Sequence, residues 1–202
     1  MDLVVENLKS TLTPLLRGDG FRGRFPRFRR QRGELIHEVA VQGWRHGGQR
    51  TINLSFGFAF LAGLKQSHGD GIEYSYRIGT ADGNDRWWKY DPTSASDAEA
   101  VTRDMLAVYQ RESGPFFERF KEFPASFLHY EPDDFVDAPL SFLPPRIGVG
   151  RSIARDCWVF MHVWRHLGNL DVAKRYAMAG LVHVGRAASL GADFQDFLGG
   201  SG

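Results

Sequence analysis

The run from Ile52 to Phe60 does most to limit the fold. Ile52, Leu54, Phe56, Phe58 and Phe60 hold every second position, and the residues between them are polar or small. Side chains alternate across a strand, so this spacing builds one apolar face and fits no helix. Such a strand requires neighbouring strands and a layer over its apolar side. The flanking segments supply candidates. Leu35, His37, Val39 and Val41 alternate in the same way, and Ile72 to Ile78 does so more loosely. Phe21 to Arg30 reads as a strand interrupted by Pro26, which removes a backbone donor and predicts an edge position or a bulge. Keeping both Phe25 and Phe28 on the inner face also demands a bulge, because their odd separation changes face. Turns are expected at Arg32-Gly33-Glu34, His46-Gly47-Gly48 and Gly69-Asp70-Gly71. With no helix between these strands, an antiparallel meander of about four strands follows.

Helices flank the strands. Leu3, Val4, Leu8, Leu12, Leu15 and Leu16 recur at helical spacing and stop at Arg17-Gly18-Asp19-Gly20. Ser96 and Glu99 match a capping box that opens a helix from Ala98 to about Glu112. Gly114-Pro115 is expected to end it and start an aromatic turn of Phe116, Phe117, Phe120 and Phe123. Residues 124–150 hold five of the nine prolines and read as a linker or wrapped loop. Ser152 can cap a helix through Leu167, Gly168-Asn169 can stop it, and Leu170 to about Leu190 is a second amphipathic stretch. The expected fold class is therefore α+β: an antiparallel sheet of about four strands packed by helices, with a C-terminal helical hairpin. The division is 1–123, 124–150 and 151–198, the last packed on the first.

With 43% hydrophobic residues, 16 Phe and 5 Trp, the chain can bury one real core. Its one cysteine, Cys157, sits among apolar neighbours and reads as a buried thiol in a reducing compartment. Residues 1–16 lack a basic start with a long apolar stretch, and no window approaches the roughly 18 apolar residues of a membrane span. A cytoplasmic protein without a membrane partner is expected.

The order of features resembles a bacterial domain family catalogued as DUF4304, whose members are largely uncharacterised. The resemblance rests on Leu12, Leu15 and Leu16 before Gly20-Phe21, then Phe28, and the strand from Leu35 to Gln42. Thr51-Ile52-Asn53-Leu54, Tyr76-Arg77-Ile78-Gly79, Trp87-Trp88 and a helix running into Phe116 complete it, over about residues 5–125. It implies helices on an antiparallel sheet and carries no established activity or catalytic residue. His166 to Tyr176 is similar to the helix junction of a tetratricopeptide repeat, but one copy builds no repeat array.

Charge gives the sharpest functional signal. Residues 17–32 hold seven arginines against Asp19, in a chain of net charge +1. Arg22, Arg24, Arg27, Arg29 and Arg30 interleave with Phe21, Phe25 and Phe28, which pairs phosphate-binding charge with rings able to stack on bases. The plainer reading is a solvated strand face over core phenylalanines. Trp87 and Trp88, flanked by Arg86 and Lys89, point to opposite faces of a strand, so that one is expected in the core and the other at least partly free to stack, the plainer reading being core packing for both. His162 and His166 lie one helical turn apart, a metal-ligand spacing without the Glu of H-E-x-x-H or a Cys pair to complete it. Glu131, Asp133, Asp134 and Asp137 read as a solvated acidic loop. The sequence contains no phosphate loop, G-x-G-x-x-G, G-x-S-x-G or kinase signature. The leading expectation is a non-catalytic binding module with a protein partner and no cofactor. The alternative is a nucleic-acid or phosphate-ligand binder using the arginine strand, and a metal-dependent enzyme is the third reading.

Overall fold

The structure is a computed structural model and describes residues 2–45, 47–67, 69–79, 86–137 and 152–200. Helix α1 (Leu3–Gly18) starts at Asp2, whose carboxylate accepts from the Val5 N–H, and buries Val4, Leu8, Leu12 and Leu16 along one stripe. Among the described residues six strands follow: β1 (Arg22–Arg24), β2 (Arg27–Arg32), β3 (Leu35–Gly43), β4 (Gln49–Phe58), β5 (Ile72–Arg77) and β6 (Trp88–Lys89). All their pairings are antiparallel, in the order β1-β2-β3-β4-β5, with β6 beside the start of β4. The sheet is thus larger than the expected four strands. Pro26 does not bulge one strand but sits with Phe25 in the tight turn between β1 and β2. Phe25 therefore has no strand face to occupy, and the odd spacing to Phe28 needs no bulge.

The register assigns each side chain to a face. Leu35, His37, Val39 and Val41 of β3 oppose Phe58, Phe56, Leu54 and Ile52 of β4, and Phe28 of β2 opposes Val39. These residues are buried under the helices. Phe56 is the centre: its ring stacks on Tyr74 at 4.7 Å and on Phe120 at 4.1 Å between centroids. Aromatic pairs in such offset stacks contribute beyond their buried area.

The long helix α2 (Ala95–Arg119) departs from expectation at both ends. Its cap is Ser94, which accepts from the Asp97 N–H, and it runs unbroken through Gly114 and Pro115. A proline inside a helix costs about 3 kcal/mol in a lost hydrogen bond and crowding. Here the continuation keeps Phe116, Phe117 and Phe120 on the sheet, all buried, at roughly 1.5–3 kcal/mol each, which outweighs the proline.

After α2, Phe127, Tyr130 and Phe135 are buried, the last on α3 (Pro132–Asp137), and join the sheet core to α4 (Ile153–His166). Phe127 packs on both Phe58 and Phe160. The first part of the stretch read as a linker or wrapped loop thus packs on the core, and its remainder, 138–150, lies outside the described residues. Ser152 caps α4 as expected, and Asn169, expected only to stop that helix, caps α5 (Leu170–His183) by accepting from the Val172 N–H. The expected second helix does not reach Leu190. It stops at His183, turns through Gly185 at a φ of +51°, and continues as α6 (Ala188–Leu198). The hairpin is therefore a three-helix unit. Among the described residues no helix is long and apolar enough to cross a membrane.

Candidate functional site: the polar face of the sheet

The side of the sheet turned away from Phe56 is polar, and the register lays it out in two rows. One row crosses five strands as Arg24, Arg27, Ala40, Asn53 and Arg77. The other crosses them as Arg22, Arg29, Glu38, Ser55 and Ser75. At about 4.8 Å between strands each row spans ~19 Å, and the rows lie ~7 Å apart along the strands. A cavity of about 430 Å³ opens here, lined by Arg27, Glu38, Asn53, Ser55, Asp70 and Ser75 among others. A second, of about 600 Å³, adjoins it at Arg27 and Asp70 and extends over Arg22, Arg24, Phe25 and Arg29.

Arg22, Arg24, Arg27 and Arg29 thus share one face because β1 folds back on β2 after the Phe25-Pro26 turn. Arg30 does not join them. It stands on the opposite side with His37, over the rings of Phe21 and Phe117 at 4.6 and 4.9 Å, and bonds the Asp19 carbonyl at 3.1 Å. Burial, then the nearby Arg32, lowers its pKa below the ordinary guanidinium value. The expected stacking rings are displaced as well, because Phe21 and Phe28 are each 1% exposed in the core.

The face carries a small acidic counterweight. Arg29 donates to Glu38 at 2.6 Å and also to Asp70, while Arg27 lies 3.5 Å and 3.7 Å from the same two carboxylates. Asp70 comes from the β4–β5 connection, which closes onto β4 where a Cβ at Gly57 would collide with the Gly71 carbonyl. Burial alone would raise the Asp70 pKa. The bonds from Arg29 and the Ile72 N–H, with the charges of Arg29 and Arg27, outweigh burial and hold it below the usual carboxylate value. At the margin Glu73 is paired with Arg155 of α4 at 2.6 Å. Arg22, Arg24, Arg27 and Arg29 therefore share this face with Glu38 and Asp70, four cations against two carboxylates.

Aromatic surface reaches this face from the residues just after β3 and just before β6. Trp44, 43% exposed, follows β3 in the outward phase and meets Trp87 edge-on at 5.4 Å. Arg77 lies over the Trp87 ring at 4.8 Å. Trp88 takes the other side: it is buried, donates its indole N–H to Asp104 of α2 at 2.6 Å, and is covered by Arg86 at 4.6 Å. Trp44 was not singled out from sequence. The signal available was its even separation from Gln42 and Ala40 on the strand, which extends the outward phase past Gly43.

The remaining candidates lie elsewhere. His162 packs on Trp158 at 4.5 Å, and burial, then Arg165 and Arg155, push its pKa down to about 4. His166 stacks on Phe60 at 4.1 Å, with Glu34 at 3.9 Å. The two imidazoles serve different contacts, and no group of three or more His, Cys, Asp and Glu able to hold a metal occurs among the described residues. Glu131 pairs with Arg175 at 2.9 Å, and the Asp134 carboxylate accepts from the Glu131 N–H. Cys157 is buried, and desolvation pushes its thiol up to about 12.

A family model described as a domain of unknown function, DUF4304, matches residues 12–119, which hold all six strands described, α2 and the C-terminal part of α1. The chain belongs to the DUF4304 family. This DUF4304 domain supplies every residue of the two polar rows, together with Trp44 and Trp87. No curated protein and no solved structure matches the chain.

Proposed function

We propose that this protein is a binding module, not a catalyst, and that the polar face of its sheet holds an anionic partner. One observation carries the reading: Arg22, Arg24, Arg27 and Arg29 stand in two adjacent rows on one face, beside two cavities. Guanidinium groups form paired hydrogen bonds to phosphates and carboxylates, and rows of them favour an extended anion over a single ion. Asn53, Ser55 and Ser75 continue the rows with neutral donors and acceptors, as a ligand seat requires for orientation. The protein partner expected from sequence would meet this face through an acidic segment, and a nucleic acid through its phosphates.

Chromatography on phosphocellulose tests the reading. The wild-type chain, with net charge +1, is expected to be retained at low salt and to elute well after an Arg24→Gln/Arg27→Gln variant. Both residues are exposed, so the variant keeps its fold. Coelution of the two proteins would overturn the proposal.

A further inference from the structure

We infer that the anion held on this face is single-stranded nucleic acid, with bases stacking against Trp44 and Trp87 while the arginine rows take the phosphates. The inference rests on the anion-binding reading and names its ligand. Three features of the face select it over an acidic protein segment. Trp44 presents nearly half of its surface to solvent on the same side as the arginines, at the end of β3, next to a ring already carrying a guanidinium. Every base has a π-face, so such rings bind bases with little regard to sequence. The neutral side chains on the face are amides and hydroxyls, Gln42, Asn53, Ser55 and Ser75, with Gln42 and Asn53 bonded to each other at 3.0 Å. They suit base edges and sugars. A protein interface would instead centre on an apolar patch in its buried middle. Here the middle of the rows is Ala40, Glu38, Asn53 and Ser55.

The strand is single because stacking requires unpaired bases, and a sheet face offers no ridge to enter a duplex groove. A row of ~19 Å accommodates on the order of four nucleotides, the lower end of the site sizes of small β folds. The phosphates would replace Asp70 as partners of Arg27 and Arg29, since that carboxylate already occupies an anion position between them.

Fluorescence anisotropy of four labelled probes, twelve-residue oligo-dT and oligo-U, polyphosphate and poly-glutamate, with unlabelled duplex and polyphosphate as competitors, tests the inference. Both single strands are expected to bind, and the duplex to compete more weakly. The Arg24→Gln/Arg27→Gln variant should lower affinity and make the dependence of log affinity on log salt shallower by about 1.4. Trp44→Leu should weaken oligonucleotide binding by roughly fivefold to a hundredfold and leave polyphosphate competition unchanged, with an unaltered melting midpoint. If polyphosphate competes as well as oligonucleotide and Trp44→Leu is neutral, the ligand is overturned while the anion seat stands. Poly-glutamate binding without oligonucleotide binding would also overturn it, in favour of an acidic protein. Binding to none of the four removes both readings.

Discussion

His37 donates its Nε2–H to the carbonyl oxygen of Phe120 across 2.7 Å, while its Nδ1 accepts from Arg30 at 3.2 Å. The imidazole is thereby fixed in its neutral form between β3 and the end of α2, and burial, with Arg30 and Arg32 nearby, pushes its pKa down to about 4. A folded pKa below the free value of 6.5 means that the unfolded chain takes up a proton the folded one refuses. The contribution is complete above about pH 6.5 and is lost as pH falls from there toward 4. His162 has the same direction and value, so each costs about 2 kcal/mol at pH 5. The urea midpoint should fall clearly between pH 7 and pH 5, and about half of that fall should vanish in His37→Gln. A midpoint equal at the two pH values would contradict the argument.

Arg155 ties the helical unit to the sheet. Its guanidinium meets the fully buried Glu73 at 2.6 Å, donates to the Gln66 carbonyl and lies 4.6 Å over the Trp158 ring. Removing one partner of a buried pair leaves a desolvated charge and typically costs 3–5 kcal/mol. Arg155→Met should therefore lower stability by about that amount in chemical denaturation. Arg155→Met/Glu73→Leu should recover most of it, because no charge is then left in the interior. Equal losses in the single and double variants would show that the guanidinium acts through packing on Trp158 instead.

The two strands at the centre of the sheet were legible because period-two alternation is local: Ile52 to Phe58 and Leu35 to Val41 fix their own faces. The division of the arginines was legible only in part. Whether Arg27 and Arg29 share a face with Arg22 and Arg24 depends on the turn at Phe25-Pro26, which converts one strand into a hairpin, and no spacing within the segment encodes that choice. The run of α2 through Pro115 was hidden for a different reason. Local propensity argues for a stop there, whereas the decision belongs to the burial of Phe116, Phe117 and Phe120 on a distant strand. Trp44 escaped notice because its role depends on Trp87 and Arg77, forty-three and thirty-three residues away. The cap of α4, by contrast, was readable from the single residue Ser152, whereas Asn169, legible as a stop for α4, also caps α5.

Gly180 sets the approach of α6 to α5. A Cβ built there would overlap the ring of Phe194, which is itself fully buried. The ring has no room to retreat into a packed interior, and overpacking of this kind costs about 1–3 kcal/mol. Gly180→Ala should lower the melting temperature despite the higher helix propensity of alanine, worth about 1 kcal/mol in the other direction at an exposed site. The variant Gly180→Ala/Phe194→Leu should relieve the overlap and regain part of the loss. A Gly180→Ala chain more stable than its parent would mean that α6 moves freely on α5.

Asp70 occupies the position on the polar face that an incoming anion would need. It bonds Arg29, lies 3.7 Å from Arg27, and is held ionised at neutral pH by these neighbours. Its carboxylate therefore competes with ligand for the same two guanidiniums, and its side chain is about one third exposed, so the ion pair itself adds little to stability. Replacing it with asparagine removes the competing charge while keeping the bond from the Ile72 N–H. Asp70→Asn should bind polyphosphate or oligonucleotide about three- to tenfold more tightly than the parent at low salt, with the difference shrinking as salt rises. The measurement is a pair of anisotropy titrations at two salt concentrations. Weaker binding in Asp70→Asn would show that the aspartate instead orients Arg27 and Arg29 for the ligand, which reverses its assigned part without moving the site.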